Sequence, residues 1–309
     1  MTTLAANFWQ TTGMIFRLLR WDKPAGRLIL MIPALWAVFL AAKGAPPPAL
    51  VGVIILGTLA TSGAGCVVND LWDRDLDPLV ERTKHRPLAD RSLSIVTGVV
   101  VGLISLICAA GLALYLNPLT FWLCVAAVPV ILFYPSAKRF FPVPQLVLSI
   151  AWGFAVLISW TAVSCNGSNF SFSAGLANFA CIPSATWWLW AATILWTLGF
   201  DTVYAMSDRE DDLKVGINSS AIFFGNYAAI AVGLCFAATT GLLAQLGWVL
   251  NLHLGFWLSL GGAIVLWGWQ FYHLSRPLVP APVYPAIFRQ NVWIGFILLG
   301  GMIMGISGR

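Results

Sequence analysis

Nine long apolar runs dominate this chain, near residues 27–43, 48–69, 93–115, 119–134, 144–165, 186–207, 219–248, 254–274 and 288–307, separated by Gly/Pro/Asn clusters or by charges. About 20 apolar residues are what a helix needs to cross the hydrocarbon core of a bilayer, where every backbone N–H and C=O must be satisfied within the segment. The runs therefore predict an all-α integral membrane protein with nine transmembrane helices, forming a single domain over residues 1–309. With 59% hydrophobic and only 9% charged residues, against roughly a quarter charged in a soluble domain, a soluble fold is excluded. Pro118, Pro135, Pro142 and Pro183 stand at run edges, where a missing N–H does least harm. Trp187, Trp188, Trp190, Trp248 and Trp267, near run ends, read as an interfacial belt.

Nine spans put the N-terminus and the segments after runs 2, 4, 6 and 8 on one face. That face then carries 15 of the 17 Lys and Arg, with Lys43 and Arg309 opposite, which makes it cytoplasmic by the positive-inside rule. The first 25 residues hold Arg17, Arg20 and Lys23 with no small-residue cleavage site, so no removable signal peptide is expected. The formal charge of +5 is explained by these loop cations rather than by a nucleic-acid partner. No obligate protein partner is evident. Of six cysteines, Cys108, Cys124 and Cys235 lie inside apolar runs and none forms a CxxC, so metal binding by sulfur is not expected. Cys165 and Cys181 bracket a polar stretch between two runs; on the non-cytoplasmic side they either bridge or stay as two interfacial thiols.

The acidic residues carry the chemistry, because the positive-inside rule does not govern them. All 12 fall on the cytoplasmic face and ten lie in two short stretches. The second run ends in Asn69-Asp-Leu-Trp-Asp73-Arg-Asp-Leu-Asp77 and the sixth in Asp201-Thr-Val-Tyr204-Ala-Met-Ser-Asp208-Arg-Glu-Asp-Asp212. Continued as helix, Asn69, Asp73 and Asp77 stack on one face, as do Asp208 and Asp212. Asp70 points about 100° away from its neighbour, so Asp70→Ala is expected to be mild unless it supports the ladder from behind. Like charges at this spacing repel unless a cation sits between them. Mg²⁺ suits, since it takes oxygen ligands from a few carboxylates together with substrate phosphate. Cations for a diphosphate stand nearby in Arg20, Lys23, Arg82, Lys84, Arg86, Arg91, Lys138, Arg139 and Lys214. Each alone is equally a topology signal.

At these motifs the chain resembles the UbiA superfamily of intramembrane prenyltransferases, most closely its 4-hydroxybenzoate polyprenyltransferases. The resemblance spans nearly the whole chain and is carried by Gly65-Cys-Val-Val-Asn-Asp70, Arg82-Thr-Lys-His-Arg-Pro-Leu88, Tyr134-Pro135 with Lys138-Arg139, and Asp201 through Gly216. It implies helices around a central cavity with a cytoplasmic cap, and a lateral opening for the prenyl tail. It also implies Mg²⁺–diphosphate binding by Asn69, Asp73, Asp77, Asp208 and Asp212, and transfer of a polyprenyl group to the ring carbon ortho to the phenol of 4-hydroxybenzoate in quinone biosynthesis. Localisation in a bacterial cytoplasmic membrane, with the active site on the cytoplasmic face, follows from it. Two positions depart from the family pattern. Ser62 stands where many relatives carry Arg, seven residues before the motif Asn, which leaves the acceptor carboxylate without its usual contact. Arg91 stands where Gly is common.

The physical logic agrees with that implication. An allylic diphosphate ionises when charge on the leaving group is stabilised, and the resulting cation must then be kept from water and held against its acceptor. Tyr134, Tyr204 and Trp72 offer aromatic faces for that cation, with interfacial packing an equal reading. Asp201, two turns before Asp208, is a candidate to orient the phenol or take the ring proton, with helix packing as its alternative. Other acceptors such as homogentisate, a naphthoate or a chlorin stay open. An ion or proton-coupled transporter is the reading from another class, but transporters place carboxylates at broken helices near the midplane. The phosphoalcohol transferase pattern DGxxAR is absent. The nine-span topology is checked by cysteine labelling: tags at Ser92 and Ser168 are expected to react from opposite faces, and same-side labelling removes it.

Overall fold

A computed structural model describes residues 2–165 and 178–307; the polar stretch between Cys165 and Cys181 lies largely outside them. Among the described residues the chain is all α-helical: α1 Thr2–Leu18, α2 Ala25–Ala41, α3 Pro48–Trp72, α4 Ile95–Ala113, α5 Pro118–Ala137, α6 Pro144–Ser164, α7 Ser184–Val215, α8 Ser220–Phe224, α9 Ala228–Val249, α10 Leu254–Leu274 and α11 Val283–Ser307. By length and composition, seven of these segments are able to cross a membrane. The two remaining predicted spans fall outside that measure. α2 has 17 residues, and α7 ends in the Asp208–Asp212 stretch.

Local chemistry sets the boundaries. Ser94 and Asn117 accept hydrogen bonds from the N–H groups of Thr97 and Thr120 and so start α4 and α5, with Pro118 in the first turn of α5, where it loses no helical hydrogen bond. α7 stops at Gly216, whose φ of 75° is open to glycine and strained for other residues. At 32 residues α7 is about 48 Å long, longer than the hydrocarbon core is thick. Its acidic end therefore projects beyond the apolar layer while Phe200 and Trp196 stay buried.

α7 is the central helix, packing against α6, α9 and α11, while α2 joins α6 to α11 and α3 pairs with α4. Trp36 and Trp196 meet with ring centroids 4.9 Å apart and Phe236 stacks on Trp267 at 5.3 Å. Gly199 allows that closeness, since a Cβ there would lie 2.7 Å from Phe236; small residues let helices approach inside a membrane. Asn291, buried in α11, accepts from Trp196 Nε1 at 3.0 Å and Trp267 Nε1 at 3.1 Å, and donates to Gln270 Oε1 and the Ile287 carbonyl. All its hydrogen-bonding positions are used, as burial requires. α4 instead exposes Val96, Val99, Val100, Leu103, Ile104 and Ile107, an apolar face suited to lipid.

Five expectations change. Trp267 is not at an interface but in the core, donating to Asn291. α1 precedes the first apolar run, and Leu18 at its end packs with Val67, Leu88 and Leu93. The 219–248 run is not one helix: it turns at Gly225, where φ is 56°. α5 passes through Pro135 to Ala137, as it does through Pro129, each proline leaving the carbonyl one turn earlier without its helical N–H. Finally, α3 ends at Trp72 with Asp73 as its C-cap, and Asp77 opens a 3₁₀ turn. The Asn69–Asp73–Asp77 stack is therefore helix plus turn, although the Asp77 N–H still reaches the Asp73 carbonyl at 2.8 Å. Cys165 and Cys181 are bridged, with Cα atoms 5.4 Å apart.

Candidate active site

A cavity of about 1190 Å³ opens between α2, α3, α4, α5, α6 and α7. One end is polar. Asn69, Asp70, Asp73 and Asp77 enter from the end of α3 and the turn after it, Arg82 and Arg86 from the segment between α3 and α4, Lys138 from the end of α5, and Asp201, Asp208 and Asp212 from α7. The rest is apolar, with Leu106, Ala109 and Ala113 of α4 and Val125, Val128 and Ile131 of α5 on its walls. α4 and α5 scarcely touch each other, and Val125 and Leu132 of α5 line the cavity and are exposed.

The carboxylates are held by cations. Arg20 Nη2 donates to Asp70 Oδ1 at 2.6 Å, and Arg86 Nη1 reaches both Asp70 Oδ1 at 3.1 Å and Asp77 Oδ2 at 2.8 Å. Arg82 grips Asp208 with Nε and Nη2, at 3.0 and 2.7 Å from Oδ2, and lies over the Tyr204 ring at 4.9 Å. Lys138 Nζ sits 3.3 Å from Asp73 Oδ2 and 3.4 Å from Asn69 Oδ1, with the Tyr134 ring 5.3 Å away. Buried charge is tolerated when paired in this way. Burial pushes the Asp77 carboxyl above its ordinary range, and the Arg86 guanidinium beside it offsets only part of that rise. Among the described residues no group of three or more carboxylate, thiol or imidazole side chains is already gathered as a metal cage.

The structure brings together most residues singled out in the sequence, including Lys23, Tyr134, Tyr204 and Asp201. Three cations turn elsewhere. Lys84 pairs with Glu81 at 2.7 Å, Lys214 with Asp211 at 3.1 Å, and Arg139 donates to the Trp72 carbonyl at 3.2 Å while stacking on its ring. Trp72 is thus covered by Arg139 and does not line the cavity. Arg91, where Gly was expected, does adopt a left-handed φ of 65° and pairs with Asp75 at 2.8 Å. Arg27, in the first turn of α2, was not singled out, because a cation at the edge of an apolar run reads as a topology signal; it lines the cavity and is buried.

The UbiA prenyltransferase family profile matches residues 30–299. The chain belongs to that family. Among similar UbiA-family proteins, a 4-hydroxybenzoate solanesyltransferase of Synechocystis sp. is 64% identical over 304 residues, covering 98% of each chain. A 4-hydroxybenzoate octaprenyltransferase of Ralstonia nicotianae is 39% identical over 293 residues, 95% of each. A UbiA homolog from Aeropyrum pernix K1 superposes with a TM-score of 0.76 at 23% identity, over 89% of this chain and 96% of that one. A UbiA homolog from Archaeoglobus fulgidus, bound to GPP and Mg²⁺, gives 0.66 at 19% identity, over 92% and 99%. This UbiA-family chain is accordingly a multi-pass membrane protein.

Asp70 does not behave as its helical position suggested. It does point away from Asn69, but the α1–α2 turn and the segment after α3 bring Arg20 and Arg86 onto it, leaving it 1% exposed. Asp70→Ala removes the shared partner of two guanidinium groups, so the expected loss is about 2 kcal/mol or more. The check is a thermal melt in detergent, where a melting temperature within a degree of wild type counts against this linking role.

Proposed function

We propose that this protein transfers a polyprenyl group from its diphosphate to the ring carbon ortho to the phenol of 4-hydroxybenzoate, releasing diphosphate, as a step of quinone biosynthesis. The observation that carries the reading is one cavity with a carboxylate- and cation-rich end and a long apolar arm, in a chain 64% identical to a protein named for this acceptor. The first suits a diphosphate, the second a polyprenyl tail. Homogentisate or a naphthoate as acceptor is less favoured, since the similar proteins named above share 4-hydroxybenzoate in their names.

Asn69, Asp73 and Asp77 from α3 and the turn after it, with Asp208 and Asp212 from α7, would hold Mg²⁺. The donor set fits: buried oxygen ligands from a few carboxylates, with room left for phosphate and water. The missing cage is consistent, because Arg82, Arg86 and Lys138 now occupy those carboxylates and a bound diphosphate would draw the cations toward itself. When bound, Mg²⁺ supplies positive charge where the leaving diphosphate gains negative charge. Arg20, Lys23, Arg82, Arg86 and Lys138 neutralise the remainder. The apolar walls exclude water from the allylic cation, and Tyr134 and Tyr204 present ring faces toward it. Asp201, about 10 Å along α7 from Asp208, orients the phenol or accepts the ring proton. The tail leaves through the seam between α4 and α5 toward lipid. The nine-helix topology, with the site on the cytoplasmic face of a bacterial inner membrane, completes the proposal.

Three experiments test it. Purified protein given Mg²⁺, 4-hydroxybenzoate and mixed prenyl diphosphates is expected to form a prenylated 4-hydroxybenzoate detectable by mass spectrometry. In the same assay Asp73→Ala and Asp208→Ala are expected to lower turnover by ~10²-fold or more; folded variants with near-normal rates overturn the two-carboxylate arrangement. For the tail path, Ala110→Phe narrows the arm between α4 and α5, and the expected outcome is a shift toward shorter prenyl donors in a competition assay. An unchanged donor profile places the tail elsewhere.

A further inference from the structure

Arg27 is a buried cation of the cavity wall whose two terminal nitrogens meet no acceptor. It is 5% exposed, and both Nη1 and Nη2 are buried without a hydrogen-bond partner. Its Nε donates to the Arg20 carbonyl at 3.2 Å, and Arg20 holds a left-handed φ of 57°. That bond fixes the plane of the guanidinium and leaves the two terminal nitrogens as an unused fork. Cys66 is the side chain that most favours its charge, ahead of Asp22, and a thiol is only a weak acceptor. Of the other cavity-lining guanidinium groups, Arg20 and Arg86 are committed to Asp70 and Arg82 to Asp208, while Arg17 and Arg289 are exposed. An unpaired guanidinium in a buried wall is costly unless a ligand answers it.

What answers it follows from geometry. A two-nitrogen fork matches a carboxylate in bidentate fashion. Its neighbour Cys66 lies about one helical turn before Asn69 and Asp70 on α3, toward the apolar interior and away from the loop that carries Arg82 and Arg86. Ser62, a further turn along, also lines the cavity and brings no charge, so Arg27 has no cationic competitor on this stretch of α3. Asp201 lines the same cavity from α7, a different wall. An aromatic ring with hydroxyl and carboxylate at opposite ends can address both walls at once, which a diphosphate at the polar end cannot. We infer that Arg27 binds the carboxylate of the aromatic acceptor and sets the protein's preference for acidic phenols; this rests on the acceptor reading above.

The test compares wild type, Arg27→Gln and Arg27→Lys with two acceptors of one shape, 4-hydroxybenzoate and uncharged 4-hydroxybenzamide. The readout is the ratio of the two kcat/KM values within each preparation, which does not depend on how much of a variant is folded. Loss of a charge-assisted bidentate contact is expected to cut that ratio by ~10-fold or more in Arg27→Gln, with Arg27→Lys between the two and the KM for the prenyl diphosphate unchanged. An unchanged ratio with a raised KM for the prenyl diphosphate assigns Arg27 to the donor, and an unchanged ratio with an unchanged KM makes it a packing residue; either overturns the inference. Equilibrium dialysis of both compounds against wild type and Arg27→Gln reads the same contact without turnover. If wild type binds and prenylates neither compound, the acceptor reading itself fails and the inference falls with it. Wild type that prenylates both equally leaves that reaction class standing and overturns the Arg27 assignment alone.

Discussion

Charge pairing in a water-poor cavity is the constraint on which the rest of this structure depends. Six carboxylates lining this cavity, Asp70, Asp73, Asp77, Asp201, Asp208 and Asp212, are buried or half-buried and would destabilise any bundle if left alone. Four of them are paired with cations from elsewhere in sequence: Arg20 from the α1–α2 turn, Arg82 and Arg86 from the segment after α3, and Lys138 from the end of α5. Each pair is also a tertiary tie. Arg82–Asp208 spans 126 positions and Lys138–Asp73 spans 65, so the polar layer fastens α3, α5 and α7 to one another at the place where the chemistry is proposed to occur. The α1 helix serves the same layer from outside through Leu18, packed with Val67 and Leu88.

In the proposed site the same network would hinder adventitious metal binding. Each carboxylate proposed for the metal, other than Asp212, has a guanidinium or ammonium group already on it. A donor that brings its own negative charge offers those cations a second partner, and the carboxylates are released to bind metal as the donor binds. Substrate and metal binding would then favour one another, because each frees the other's ligands.

Much of this was legible in the sequence, and the exceptions have physical causes. Asp73 and Asp208 stood out because carboxylates are rare in so apolar a chain, and the apolar runs gave most helices. α1 escaped because its polar and apolar residues alternate without a long run. Asp70 was undervalued because a helical wheel gives the direction of a side chain but not what a distant loop brings to meet it. Arg27 was hidden by a rule that reads every cation beside a span as a topology signal; only the burial of its two unpartnered terminal nitrogens separates it from Lys23 or Arg276. The ladder at Asp77 takes a form that helix spacing does not give, since α3 stops at Trp72 and a 3₁₀ turn completes it.

The tail exit proposed between α4 and α5 would have a further consequence. A cavity that is wet at one end and bounded by lipid at the other would deliver its two products into different phases, diphosphate into water and the prenylated ring into the bilayer. Once parted, they can meet again only by separate diffusion from opposite directions. The reverse reaction would then be disfavoured by partitioning as well as by chemistry, and the protein would act as a one-way transfer point from a soluble acid to a membrane-resident lipid.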